Sequence, residues 1–370
     1  MKHWGRSCGA AALLAMTACS GGGGTHDDGG SGTAPPAGPD PAQRHILFVG
    51  DSFTHGRYQP VRQYNSGGKD TPAGGSALVV DENYGQGGAR AESSETGPFG
   101  GIPGIFAEFA HERGLDYDVH IEAISSTSLQ ANYAAASDVI ADAKWNAVVL
   151  QELSPRPLAE ALTGSTQSNP SNFCAAVSTI EHGVHAVAPA AAIYLYETWP
   201  RADWAQALAG DPSAAGFAAA YASALASIGD AYHDVYYRAA ALDGNIAAVA
   251  PAGEAWSRAW SEGVANPDPY AGSAPGPLLW YGIEAANDPK IGAPDYHHPG
   301  AAGAYLSALV LFGQVAGIDV RVLGSGESAA ASLGLSGTLA VQLQQVAWET
   351  VTQENMAPRT STADPCVATH

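Results

Sequence analysis

The sequence predicts a three-layer α/β/α sandwich built around a parallel sheet. Two features carry that prediction: short apolar runs alternate with amphipathic stretches through most of the chain, and no internal repeat breaks the alternation. A third feature sets the scale. With 370 residues, 46% of them hydrophobic, the chain can bury a core far larger than a stapled mini-protein needs, as one large domain or two smaller ones.

Taken in order, residues 45–49 (HILFV) form the first buried strand, ended by Gly50. Residues 57–101, rich in glycine, serine and charge, break the rhythm and read as an insertion of loops or a short hairpin. A helix is predicted over 102–113, where Ile105, Phe106 and Phe109 share one face and Gly114 supplies the stop. Strands follow at 118–124, after an alanine-rich helix at 146–151, and after a helix over 172–187 at 192–197. The alanine-rich stretch 214–228 is helical, and 245–250 is the last parallel strand. Pro299 then starts an apolar helix through Leu306, Val310 and Leu311, because proline at the first helical position forfeits no backbone donor. A final helix over 336–354 lines up Leu339, Leu343, Val346 and Val351 to pack on the sheet. The folded domain expected from these elements spans 44–357, with a tail at 358–370.

The amino terminus is an export segment. Lys2 and Arg6 precede an apolar stretch that is too short to span a bilayer as a mature helix. It ends in Leu14-Ala15-Met16-Thr17-Ala18-Cys19, which resembles the lipobox of bacterial lipoproteins and implies a lipid on Cys19, with Met16 standing where that motif prefers leucine. Residues 20–43 hold glycine, serine, threonine, proline and aspartate without apolar periodicity, a flexible tether. The expected location is therefore outside the cytoplasm, anchored through that lipid or else secreted. Cys174 and Cys366 remain as a disulfide pair or as two free thiols. Acidic residues outnumber basic ones by 36 to 16, and the formal charge of −20 excludes nucleic acid as an expected partner.

Two stretches carry chemistry. Gly50-Asp51-Ser52-Phe53-Thr54 lies at the carboxyl end of the first strand, the edge at which open α/β sheets bind ligands. Far downstream, Asp295-Tyr296-His297-His298-Pro299-Gly300 offers an imidazole and a carboxylate three residues apart. A serine hydroxyl needs an imidazole to take its proton, and the imidazole needs a carboxylate to fix its tautomer. Pro299 biases His298 away from helical geometry. Each stretch alone reads more simply as a turn or a helix cap.

Together they resemble the SGNH (GDSL-type) hydrolases, with Gly-Asp-Ser on the first strand and Asp-x-x-His before a proline near the carboxyl end. The resemblance spans roughly 46–317 and implies a flavodoxin-like sandwich, with Ser52 as nucleophile, His298 as general base and then acid, and Asp295 orienting it. That family also holds its oxyanion with a glycine after the second strand and an asparagine after the third, besides the serine amide. This sequence departs at both: Ser126, in Ser125-Ser126-Thr127-Ser128, stands for the glycine, and Gln151 for the asparagine. Ser126 can still donate a backbone amide, and Gln151 carries the same carboxamide on one more methylene, so the expected oxyanion donors are Ser52, Ser126 and Gln151. The alternative for Gln151 is a hydrogen bond that caps the strand end.

No cofactor is implied. Glu152, Glu197, Asp295, His297 and His298 could suggest a metal, but their spacing lacks ligand periodicity, and no metal is expected there. Trp199, Trp204, Trp256, Trp260, Trp280 and Tyr281 either stack on a sugar or acyl chain or pack in the core. The expected activity is hydrolysis of short-chain or acetyl esters of small molecules or glycans. The alternatives are an acyltransferase with the same triad and a non-catalytic carbohydrate-binding lipoprotein.

Overall fold

Seven strands hydrogen-bond in the order β2-β3-β4-β1-β5-β6-β7. They are β1 (Arg44–Gly50), β2 (Ser66–Gly68), β3 (Val79–Asp81), β4 (Tyr117–Ala123), β5 (Ala147–Leu150), β6 (Ala192–Tyr196) and β7 (Ala248–Ala250). Every pairing is parallel. The computed structural model describes residues 43–68, 78–272, 276–282, 294–353, 355–360 and 364–367, all within one compact unit, Pro41–His370. The expected export segment, Cys19 and the expected tether up to residue 42 lie outside the described residues.

β1 is fully buried from Ile46 to Val49, because a central parallel strand is covered on both faces. On one face, helix Gly101–Glu112 packs against helix Ala301–Ala316, which in turn packs against Gly337–Gln353. On the other, Leu129–Ile140 packs against Pro170–Val187, and that helix against Phe217–Asp243. The result is the predicted three-layer α/β/α sandwich. The chain runs from β1 out to the β2 edge side and then crosses to β5, so the strand order reverses at β1. Crevices for ligands form at the carboxyl ends of strands at such a reversal.

Three expectations need correction. Residues 57–101 are not merely loops or a hairpin: β2 and β3 pair in parallel, Ser66 beside Val79, and extend the sheet beyond β4. The predicted 214–228 helix is Phe217–Asp243, continuing through Gly229 to a left-handed cap at Gly244. Pro299 is not the first helical residue; Gly300 is the cap and Ala301 begins the helix.

The residues assigned to a tail are tied to the domain. Cys174 and Cys366 form a disulfide with a Cα–Cα distance of 5.6 Å, and Arg238 pairs with Asp364. No described helix is long and apolar enough to cross a membrane.

Candidate active site

The turn after β1 is built by its own sequence. Asp51 is extended, its Oδ1 accepts the Phe53 amide at 2.9 Å, and its carbonyl accepts the amides of Thr54 and His55, which winds Ser52–His55 into one helical turn. Gly50 must be glycine, because a Cβ there would overlap Thr54 Oγ1 and Gln151 Oε1. Ser52 becomes the first residue of the helix at the carboxyl edge of the sheet, 5% exposed.

The downstream loop folds around its aspartate. Asp295 Oδ1 accepts the amides of His297 at 3.0 Å and His298 at 2.9 Å, which curls the loop back on the carboxylate. Asp295 Oδ2 then lies 2.7 Å from His298 Nδ1, and His298 Nε2 lies 2.8 Å from Ser52 Oγ. With the Nδ1 hydrogen donated to the carboxylate, Nε2 is left to accept the Ser52 hydroxyl. The two stretches that carry the SGNH resemblance thus meet in one hydrogen-bonded chain.

Asp295 is fully buried. Burial alone would raise its pKa, but the charge and hydrogen bonds of His298, with His297, outweigh it and hold the carboxyl well below the usual range. It therefore stays an acceptor. His297 packs its ring 4.2 Å from that of His298, and burial holds its pKa well below the ordinary value, with His298 adding to the effect.

Gln151 does not bring its amide to this site. Its Oε1 accepts the Asp51 amide at 2.9 Å and the Thr54 hydroxyl at 2.7 Å, and its Nε2 donates to the Glu152 carbonyl at 2.5 Å. The Asp51 N–H fixes which end of the carboxamide is oxygen. Gln151 is thus the strand-end hydrogen-bonder, holding the turn that carries Ser52. Ser126 is exposed and takes a left-handed conformation, φ 60°, which glycine adopts most readily and which fits the position where the resemblance expects one.

The tryptophans are mostly structural. Trp199, Trp256 and Trp280 are buried; Trp199 stacks between Phe53 and Trp256 at centroid distances of 4.9 Å and 4.3 Å, and its Nε1 donates to the His297 carbonyl. This stack supports both the turn after β1 and the loop at Asp295 to His298. Trp204 is buried under the Arg201 guanidinium, and Trp260 packs on Trp280. Tyr281 is partly open and stacks on Tyr58.

Sequence reasoning missed two groups. Tyr58 donates its hydroxyl to Asp295 Oδ2 at 2.8 Å from within the supposed insertion, and no spacing rule marks it. A partly buried network also holds the serine-rich loop: His55 Nε2 lies 2.9 Å from Ser125 Oγ, Glu95 accepts from that hydroxyl, Glu92 accepts the Ser125 amide at 2.7 Å, and Arg57 pairs with Glu95. His55 stacks on Phe99 and is held neutral by burial, its pKa pushed down to about 3. Its position one turn after Ser52 in Ser52-Phe53-Thr54-His55 was the available signal.

No family model matches this chain, and no curated protein matches it. Among solved structures it is similar to a DUF4886 family protein from Bacteroides uniformis at 13% identity and a TM-score of 0.46, covering 86% of this chain and 98% of that one. It is also similar to phospholipase A1 from Streptomyces albidoflavus, at 16% identity and a TM-score of 0.41, covering 73% and 98%. A third is Axe2, an acetylxylan esterase from Geobacillus stearothermophilus, at 14% identity and a TM-score of 0.41, covering 74% and 94%. By its own geometry the chain is an α/β sandwich with a serine–histidine–aspartate set at the carboxyl edge of its sheet.

Proposed function

We propose that this protein is an exported serine esterase of the SGNH type that cleaves short acyl esters, carbohydrate-linked ones included, through an acyl-enzyme on Ser52. One observation carries the reading: the unbroken chain Ser52 Oγ, His298 Nε2, His298 Nδ1 and Asp295 Oδ2, with links of 2.8 and 2.7 Å. Ser52 Oγ attacks the acyl carbonyl while His298 Nε2 takes its proton, and Asp295 stabilises the imidazolium. The imidazolium returns that proton to the departing alkoxide. Water, deprotonated by the same nitrogen, then releases the acid. Amides of Ser52 and Ser126 are the proposed oxyanion donors in place of Gln151. Export and lipidation at Cys19 belong to the same proposal, and Cys19→Ala should abolish the lipid while sparing the catalytic domain.

The test is to treat the protein with a fluorophosphonate and map the adduct by mass spectrometry. Modification of Ser52, lost in Ser52→Ala and much reduced in His298→Ala together with turnover of an aryl acetate, is the expected result. An unlabelled Ser52 in a folded protein would end the esterase reading.

A further inference from the structure

At the opposite end of the sheet from Ser52, His45, Asp118 and His120 converge. His45 is the second residue of β1, Asp118 is its direct partner on β4, and His120 lies two residues further along the same strand. Alternation in a strand puts Asp118 and His120 on one face, with His45 beside them. Asp118 Oδ2 lies 2.7 Å from His45 Nδ1 and 2.9 Å from His120 Nε2, and the three side-chain donors lie within 4.8 Å of one another.

We infer that these three side chains bind a divalent transition metal, zinc by the chemistry of the donors. Two imidazoles and one carboxylate are the nitrogen and oxygen donors that zinc takes in a three-ligand site. A single carboxylate oxygen that faces two imidazole nitrogens is the arrangement one cation between them would satisfy. Tetrahedral zinc at about 2.0–2.1 Å from each donor sets the donors about 3.3 Å apart, so the two Asp118 contacts, at 2.7 and 2.9 Å, would each open by about half an ångström.

The outer groups fit as well. His120 Nδ1 lies 2.8 Å from Glu82 Oε1, and Glu82 is held in turn by Lys144 at 3.3 Å. A histidine ligand that gives its second ring N–H to a carboxylate is fixed with the other nitrogen aimed at the metal. His120 is nearly buried, whereas the side chains of His45 and Asp118 are each 33% exposed, so the remaining coordination position faces water. Five residue steps along β1 lead from His45 to Gly50, about 16 Å at strand rise, so the ion would pin the amino ends of two central strands away from the Ser52 site.

The experiment is titration of the full chain, stripped with a chelator, with zinc followed by calorimetry and with cobalt followed by its visible absorption. One equivalent should bind at micromolar concentration or tighter. His45→Ala, Asp118→Asn and His120→Gln should each weaken binding at least tenfold, with circular dichroism showing that they fold, and Glu82→Gln should weaken it about tenfold or more. One equivalent of zinc should leave aryl acetate turnover by the unmodified protein unchanged. The inference is overturned if no metal binds at about 100 µM, the result expected if His120 merely bridges Asp118 and Glu82 as a salt bridge. It is equally overturned if binding persists in all three ligand variants, or if bound zinc inhibits turnover, which would put the ion at Asp295, His297 and His298.

Discussion

Tyr58 and Asp295 share the hydrogen bond that links the supposed insertion to the catalytic loop. The phenol donates to Oδ2 at 2.8 Å, the same oxygen that orients His298. Burial, then the Asp295 charge, raises the phenol pKa far above its usual value, so Tyr58 remains a donor throughout the working range. Its ring is fixed by stacking on Tyr281, with centroids 3.8 Å apart.

Tyr58→Phe keeps that stacking and removes only the donor. A hydrogen bond to a charged group contributes about 1.5–3 kcal/mol, but Asp295 retains two backbone amides, so kcat should fall by about tenfold with KM nearly unchanged. Steady-state kinetics on an aryl acetate decide it. A kcat equal to that of the unmodified protein would show that the phenol does not position the carboxylate.

Gln151→Ala should lower thermal stability and turnover together. The substitution leaves the Asp51 amide and the Thr54 hydroxyl without their acceptor in a fully buried setting, at about 1–3 kcal/mol for each unsatisfied group. A true oxyanion donor behaves differently, lowering kcat while Tm stays fixed. Measuring Tm and kcat on one preparation separates the two, and an unchanged Tm with a hundredfold loss of kcat would return Gln151 to the oxyanion.

Gln151 also shows where sequence reading stops. Its place after β5 was legible from the apolar run 147–150, but the direction of a carboxamide depends on neighbours a hundred residues away, Asp51 and Thr54. Ser52, Asp295 and His298 were legible because each stretch is local and its chemistry is coded in residue type. β2 and β3 were not: three residues each, Ser-Gly-Gly and Val-Val-Asp, give no period to detect. The helix expected over 214–228 stops one residue short of Gly229, although the fold continues it to Asp243. In the fold Gly229 is a contact, where an added Cβ would come 3.3 Å from Pro200.

The Cys174–Cys366 bridge should matter to stability and little to catalysis. It joins positions 192 residues apart, and the chain-entropy model gives such a cross-link about 5 kcal/mol. The Cys174→Ser, Cys366→Ser double variant should therefore melt roughly 5–15 °C lower, with turnover at 25 °C within about twofold of the unmodified protein. Thermal unfolding with and without reductant checks it: reductant should lower the Tm of the unmodified protein and leave the variant untouched. Equal melting of the two proteins would show that Arg238–Asp364 and the neighbouring contacts already hold the carboxyl-terminal segment.

Glu152 should make the fold less stable as the solution becomes alkaline. Its carboxyl is buried at the end of β5, where burial pushes the pKa from 4.5 up to about 8; the amides of Leu129 and Leu153 oppose the shift and the Asp51 charge adds to it. Between those two values the folded protein keeps a proton that the unfolded chain has released. Stability must then fall as pH rises through that window and level off above it. Glu152→Gln fixes the neutral form and keeps an oxygen for the two amides that Oε1 now accepts at 3.0 and 2.7 Å. The difference in Tm, variant minus unmodified protein, should therefore become more positive between about pH 5 and about pH 9. Asp51, pushed by burial to about 7, leaves a residual slope in the variant, so the slope shrinks without vanishing. A difference that stays constant across the range would mean that Glu152 is ionised in the folded protein throughout.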